Sequence, residues 1–83
     1  MTLFEQLRTA IASTLDISES EISETTAAGD IAAWDSLGQV NLMLTLEQTF
    51  DLMLDVEDIA DLNSVPLILN YLREQGIDST PVT

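Results

Sequence analysis

Apolar side chains return every three or four residues along much of this chain, and that spacing limits the folds it can adopt. Leu3, Leu7, Ile11 and Leu15 repeat every four residues, and Phe4 lies beside the first of them. Such a stripe covers one face of an amphipathic helix of about four turns. No segment shows the apolar–polar alternation that is typical of a strand. The sequence therefore predicts an all-α fold.

Capping residues indicate where the first two long helices begin. Thr2 and Glu5 match a capping box, in which each of the two side chains bonds the backbone N–H of the other residue. Asp35 is a favourable N-cap for a helix that begins at Ser36 and continues to Phe50. These two helices account for the longest apolar patterns in the chain.

Two further helices are predicted in the second half of the chain. Asp55 is expected to cap a short helix, and Asn63 or Ser64 to open the last one, which ends at Gly76. We therefore expect a small up-down helical bundle of three main helices plus one short helix. One domain would cover residues 1–76, and residues 77–83 would form a flexible C-terminal tail.

The predicted connection from 16 to 34 is a long first loop, rich in Ser, Thr and Glu. Four apolar residues interrupt its polarity, and we expect them to anchor the loop to the core: Ile17, Ile22, Ile31 and Trp34. Loops of this length inside a compact domain usually have a function.

The composition limits the possible activities. The 83 residues contain 15 acids, only two bases (Arg8 and Arg73), and no His, Cys or Lys. Because those absent residues supply most general bases and nucleophiles, we expect no catalytic activity of the chain's own. A net charge of −13 disfavours nucleic acid and anionic membranes and favours partner proteins with basic docking patches. We expect a cytoplasmic monomer without a metal site, since the acids of 51–61 do not follow the calcium-loop pattern.

The predicted helix from Ser36 carries more apolar residues than one buried face can hold. One arc suits the core, and it contains Leu42, Met43, Leu46 and Phe50. A second, roughly opposite arc contains Leu37, Val40 and Leu44. This second arc is either a docking stripe for partners or the edge of the core beneath the long loop.

Ser36 itself allows two interpretations. A serine at a helix start is ordinarily a first-turn residue with no further role. No neighbouring base could activate its hydroxyl, so Ser36 is not a nucleophile in its own right. It could instead accept a modification, because a phosphate is favoured by the free N–H groups and the positive dipole end of a helix.

The residues around Ser36 resemble the attachment motif of the acyl and peptidyl carrier protein family. Residues 34–40, WDSLGQV, are similar to the form found in free-standing acyl carrier proteins. Residues 42–47 with Phe50 resemble the recognition helix of that family, and 55–65 its short third helix and the start of its fourth. The resemblance covers nearly all of residues 2–76.

The resemblance implies that a phosphopantetheinyl transferase attaches 4′-phosphopantetheine from coenzyme A to Ser36. The thiol of that arm would hold acyl or aminoacyl groups as thioesters and present them to acyl-loading and acyl-processing enzymes. Asp35 and Leu37 would be recognised by the transferase. The expected partner-docking residues are Leu37, Val40, Leu44 and Glu47.

Several positions depart from the family pattern. Trp34 replaces the familiar glycine, Gly38 stands where an acid is common, and Asn41 and Gln48 replace further acids of the recognition helix. The departures favour a specialised lipid, polyketide or nonribosomal peptide pathway over a housekeeping fatty acid synthase. The alternative is an acidic helical adaptor that docks through the same stripe and is never modified.

Overall fold

Four α-helices form the fold over residues 2–77, the part of the chain that this computed structural model describes. They are α1 (Leu3–Leu15), α2 (Ser36–Phe50), α3 (Val56–Asp61) and α4 (Val65–Glu74). Two short 3₁₀ turns, Glu19–Glu21 and Ala28–Asp30, lie in the first loop. No strand occurs within residues 2–77. The expected all-α bundle of three main helices and one short helix is confirmed.

The start of α1 and the end of α4 have the capping interactions that the sequence predicts. The Thr2 hydroxyl accepts from the Glu5 N–H at 3.1 Å, and a Glu5 carboxylate oxygen accepts from the Thr2 N–H at 2.8 Å. These bonds to Thr2 hold the pKa of Glu5 below its ordinary value. Gly76 adopts a φ of +82°, a left-handed conformation that glycine takes without strain, and so ends α4 as predicted.

Ile77 continues the domain one residue beyond Gly76. Its N–H donates to the Leu72 carbonyl at 2.9 Å, and its half-buried side chain packs against the core. The hydrogen bond from the Gly76 N–H to the Arg73 carbonyl completes a Schellman motif. The rest of the expected tail, 78–83, lies outside the described residues.

The core lies where α1, α2 and α4 meet. The largest fully buried side chains come from all three helices: Leu7, Ile11, Leu42, Met43, Leu46, Val65, Ile68 and Leu72. A hydrogen bond of 2.9 Å between the Thr14 and Thr45 hydroxyls also joins α1 to α2. None of the helices within residues 2–77 is both long enough and apolar enough to cross a membrane.

The long first loop is attached to the core at both of its ends and in its middle. Ile22, Ile31 and Trp34 are buried and Ile17 is half-buried, so all four predicted anchors pack against the core. In the middle of the loop, the Thr26 carbonyl accepts from the Val65 N–H at 2.8 Å. These attachments fix the path of the loop from the end of α1 to the start of α2.

Candidate functional site

The first loop ends at the first turn of α2, where Asp35 is the N-cap. Its Oδ1 accepts from the Gly38 N–H at 2.8 Å, and its carbonyl oxygen accepts from the Gln39 N–H at 2.8 Å. Both bonds satisfy groups that a helix start would otherwise leave unpaired. The predicted helix start at Ser36 is confirmed, with the Asp35 carboxylate turned toward the backbone of its own helix.

Gly38 allows the loop to pass unusually close to α2. A Cβ at this position would lie 2.5 Å from the Ala33 carbonyl oxygen and 3.0 Å from Leu15 Cδ2. Glycine is therefore the only residue that fits without a shift of the loop backbone. Sequence reasoning treated Gly38 only as a departure from a family pattern. The available indication was a glycine within the predicted helix from Ser36 to Phe50, since glycine is a poor helix former.

Ser36 is the first residue of α2 and is exposed to solvent. Its hydroxyl has no hydrogen-bond partner among residues 2–77, so it is free to react with an incoming group. The backbone N–H groups of Ser36 and Leu37 likewise have no acceptor within this part of the chain. An anion on the Ser36 oxygen would lie near these two donors and the positive end of the helix dipole.

Beside Ser36 a surface pocket of about 580 Å³ opens between α2, α3 and the first loop. Its lining is mostly apolar and includes Ala28, Trp34, Val40, Val56 and Ile59. Ser36 and Asp35 lie among its lining residues, at the start of α2. The site thus combines an unpaired hydroxyl with a neighbouring apolar pocket.

Comparison with known proteins identifies the family. A family model described as the phosphopantetheine attachment site matches residues 5–72. The chain is 30% identical over 78 residues to an acyl carrier protein of Syntrophus aciditrophicus, covering 93% of this chain and 96% of that protein. It is 32% identical over 71 residues to an acyl carrier protein of Clostridium acetobutylicum, covering 86% of this chain and 92% of that protein.

The chain belongs to the acyl carrier protein family. Members of this family carry covalently attached 4′-phosphopantetheine, and the site at the start of α2 fits that group. The group needs an accessible hydroxyl for its phosphodiester link, and Ser36 has an exposed hydroxyl without a partner in residues 2–77. Its phosphate needs donors, and two free N–H groups belong to the same turn.

The two arcs of α2 have the burial that this carrier's sequence predicts, except that Phe50 of the core arc is half-buried against the core. On the core arc, Leu42 and Met43 are 0% exposed and Leu46 is 1% exposed. The second arc is open, with Leu37 70%, Val40 45% and Leu44 50% exposed. The stripe is therefore a free apolar surface rather than a core edge covered by the first loop.

Two exposed apolar residues outside this stripe were missed by sequence reasoning. Met53 is 90% exposed, and Val56, at the start of α3, is 82% exposed. The predictions for their segment, 51–61, concerned its acids and a short helix after Asp55, not its apolar side chains. Met53 lies in the connection before α3, and a period of 3.6 residues cannot be recognised in a helix as short as α3. The exposure of these two side chains therefore does not follow from a pattern in the sequence.

Glu47, a predicted docking residue, is half-buried and has an internal partner. Its Oε2 accepts from the Leu54 N–H at 2.7 Å, which ties the connection before α3 to the last turns of α2. A carboxylate acceptor makes this bond stronger than one between neutral groups. The Glu47 side chain thus supports the α2–α3 connection.

Trp34 and Gln39 form a second link between α2 and α3. The Trp34 indole N–H donates to Gln39 Oε1 at 2.6 Å. Gln39 Nε2 in turn donates to the Ile59 carbonyl at 2.7 Å and to the Leu62 carbonyl at 2.8 Å. Trp34 is the buried anchor that the sequence predicts. The hydrogen bond from its indole N–H to Gln39 could not be predicted from the sequence.

Proposed function

We propose that the Ser36 hydroxyl is the attachment point of 4′-phosphopantetheine and that the chain is an acyl carrier with no catalytic activity of its own. The observation that supports this most is the position of an exposed, unpaired hydroxyl at the start of α2 beside an apolar pocket. When bound, the group supplies a thiol that forms thioesters with acyl or aminoacyl groups. The chain's own residues contain no thiol.

The residues of the first turn orient the attachment point. Asp35 holds the turn through the Gly38 N–H, which leaves the N–H groups of Ser36 and Leu37 free for the phosphate oxygens. The transferase would recognise this turn through Asp35 and the exposed Leu37 side chain. Because Ser36 has no base beside it, the transferase must supply the groups that activate the hydroxyl.

Acyl-loading and acyl-processing enzymes would dock on the apolar stripe of Leu37, Val40 and Leu44. Two acidic segments, 19–24 and 51–61, would attract basic patches on those enzymes. In this proposal the carrier acts as a monomer in the cytoplasm, binds neither nucleic acid nor membrane, and needs no metal of its own.

The proposed pathway is a specialised one that makes a lipid, a polyketide or a nonribosomal peptide. Glu47 is the only charged residue of α2, and its carboxylate already accepts a hydrogen bond from Leu54. The recognition helix therefore presents an almost uncharged face. A partner for such a face needs apolar complementarity more than a row of cations, which favours dedicated enzymes over a general fatty acid synthase.

Intact-mass spectrometry after incubation with a broad-specificity transferase and coenzyme A tests the attachment. The wild-type chain should gain the mass of one phosphopantetheine group, and Ser36→Ala should gain none. Ser13→Ala is the matched control, since Ser13 is exposed in the last turn of α1, away from a helix start, and this variant should gain the full mass. A wild-type chain that stays unmodified would favour the adaptor alternative, and a mass gain in Ser36→Ala would move the attachment point elsewhere.

A further inference from the structure

α3 is held in place by very little apolar packing. It has only six residues, Val56–Asp61, and none of them is fully buried. Ile59 packs half-buried against the core, whereas Val56 at the other end is 82% exposed. An isolated helix of this length is not stable in water, so its position must depend on attachments to the rest of the fold.

The carbonyl groups at the end of α3 are bound by a side chain from α2. The last carbonyls of any helix have no donor within the helix. The Ile59 carbonyl would normally accept from Asn63, but the Asn63 N–H donates to the Asp61 carbonyl at 2.9 Å. Gln39 Nε2 takes that place at 2.7 Å and also binds the Leu62 carbonyl at 2.8 Å. One amide group therefore caps α3 from a neighbouring helix.

Trp34 fixes the direction in which the Gln39 amide points. An indole N–H can only donate, so it selects the Gln39 oxygen as its acceptor. The amide nitrogen must then point away from Trp34, toward the Ile59 and Leu62 carbonyls. Trp34 is only 3% exposed and packs in the core, which makes it a rigid support for the amide.

The same residues line the pocket beside Ser36. Trp34, Gln39 and Val40 line it from α2 and the preceding loop, while Val56 and Ile59 line it from α3. The Gln39 bonds therefore join the opposite sides of the pocket. We propose that Gln39, oriented by Trp34, is the positioning residue that holds α3 as a wall of this pocket, and that release of its two bonds opens the pocket.

Two other attachments hold α3 and the segment before it. The Tyr71 hydroxyl donates to Asp58 Oδ2 at 3.3 Å, and burial together with the Asp58 carboxylate raises the pKa of Tyr71. The Leu54 N–H is bound by Glu47 at 2.7 Å. These two bonds hold Asp58 and Leu54, which precede Ile59. After α3, the buried Leu62 side chain and the bond from the Ala28 N–H to the Asn63 carbonyl at 2.9 Å hold the chain. Loss of the Gln39 bonds therefore loosens the last turn of α3 between these attachments.

Amide hydrogen exchange of the unmodified chain, measured residue by residue by NMR, tests the proposal. Gln39→Met keeps the length of the side chain and removes its donors. We expect exchange of the amides in 59–63 to become about tenfold faster, while α1 and α4 exchange as in the wild type. Gln48→Met is the matched control, an exposed glutamine of the same helix, and should change nothing.

Trp34→Phe provides a second variant that leaves Gln39 in place. Phenylalanine fills most of the volume that the Trp34 side chain occupies, but it has no N–H group to orient the Gln39 amide. Amide exchange in 59–63 should therefore rise by about threefold. Acrylamide quenching of the single tryptophan adds an optical measurement, and Gln39→Met should quench more strongly than Gln48→Met. Unchanged exchange in 59–63, or equal acceleration in α1, α4 and α3, would overturn the proposal.

The importance of the pocket for a carried group depends on the proposed function, whereas the attachment of α3 does not. The two can therefore fail separately. If Gln39→Met accepts phosphopantetheine on Ser36 but exchanges like the wild type, Gln39 is not the positioning residue and the carrier proposal stands. If no chain is modified but α3 exchanges faster in Gln39→Met, the carrier proposal fails and the role of Gln39 stands.

Discussion

At the scale of single residues, Gly38 lies where the first loop comes closest to α2. In an ordinary helix interior, Gly→Ala stabilises by about 1 kcal/mol because alanine loses less conformational freedom on folding. Here the new methyl group would lie 2.5 Å from the Ala33 carbonyl oxygen, a distance that real Cβ atoms do not reach. We therefore expect Gly38→Ala to lower the free energy of unfolding by about 1–3 kcal/mol, measured by urea denaturation.

Gly29 is the matched control for this substitution. A Cβ there has nothing within 4 Å and its φ is not positive, so Gly29→Ala should leave the stability within about 1 kcal/mol of the wild type. A Gly38→Ala chain as stable as Gly29→Ala would mean that the loop can retreat from α2 without loss.

Sequence reasoning succeeded at residues whose role depends on local chemistry. Thr2, Glu5 and Asp35 act as caps because a cap binds N–H groups two or three residues away, which a sequence displays directly. Gln39 escaped prediction because its acceptors belong to Ile59 and Leu62, some twenty residues away along the chain. No local pattern reports a contact of that range.

At the scale of elements, α2 has one apolar face in the core and another open to solvent. The cost of truncating one leucine on each face should therefore differ. Leu46→Ala should lower the free energy of unfolding by about 2–5 kcal/mol, because Leu46 is 1% exposed and its removal leaves a cavity. Leu44 is 50% exposed, so Leu44→Ala should cost less than about 1 kcal/mol by the same measurement. Equal losses at the two positions would contradict the separation of α2 into a core face and an open face.

The helices α1, α2 and α4 were predictable because each is long enough for its apolar period to be recognised. α3 is too short for its period to be recognised, and it was predicted from its N-cap, Asp55, and from the family resemblance of residues 55–65. The two 3₁₀ turns of the first loop were not predicted, since each is only three residues long. Glu19–Glu21 is held by a local capping box of Ser18 and Glu21, whereas Ala28–Asp30 lies beside the long-range bridge between Ala27 and Ser64. Within the candidate site, Ser36 and the apolar stripe were predictable, whereas the pocket depends on how α3 is placed.

At the scale of the whole molecule, the surface carries a large excess of negative charge. Fifteen acids and two arginines give a net charge of −13 on a chain of 83 residues. Compact folding brings these charges closer together than they are in the unfolded chain, so their repulsion opposes folding. The ion pair between Arg8 and Glu19, at 3.3 Å, offsets only a small part of this repulsion.

Salt should therefore stabilise the fold. Raising NaCl from 0.01 M to 0.15 M shortens the screening length from about 30 Å to about 8 Å, less than the distance across the domain. If screening relieves about 1 kcal/mol of repulsion, Tm rises by about 4–8 °C, measured by circular dichroism.

Glu24 is exposed and has no partner among residues 2–77, so Glu24→Gln should raise Tm at low salt and reduce the salt dependence. Glu19→Gln is the control. Because this substitution also removes the ion pair with Arg8, it should raise Tm less than Glu24→Gln does. A Tm that stays constant or falls with NaCl would show that crowded carboxylates do not limit the stability of this domain.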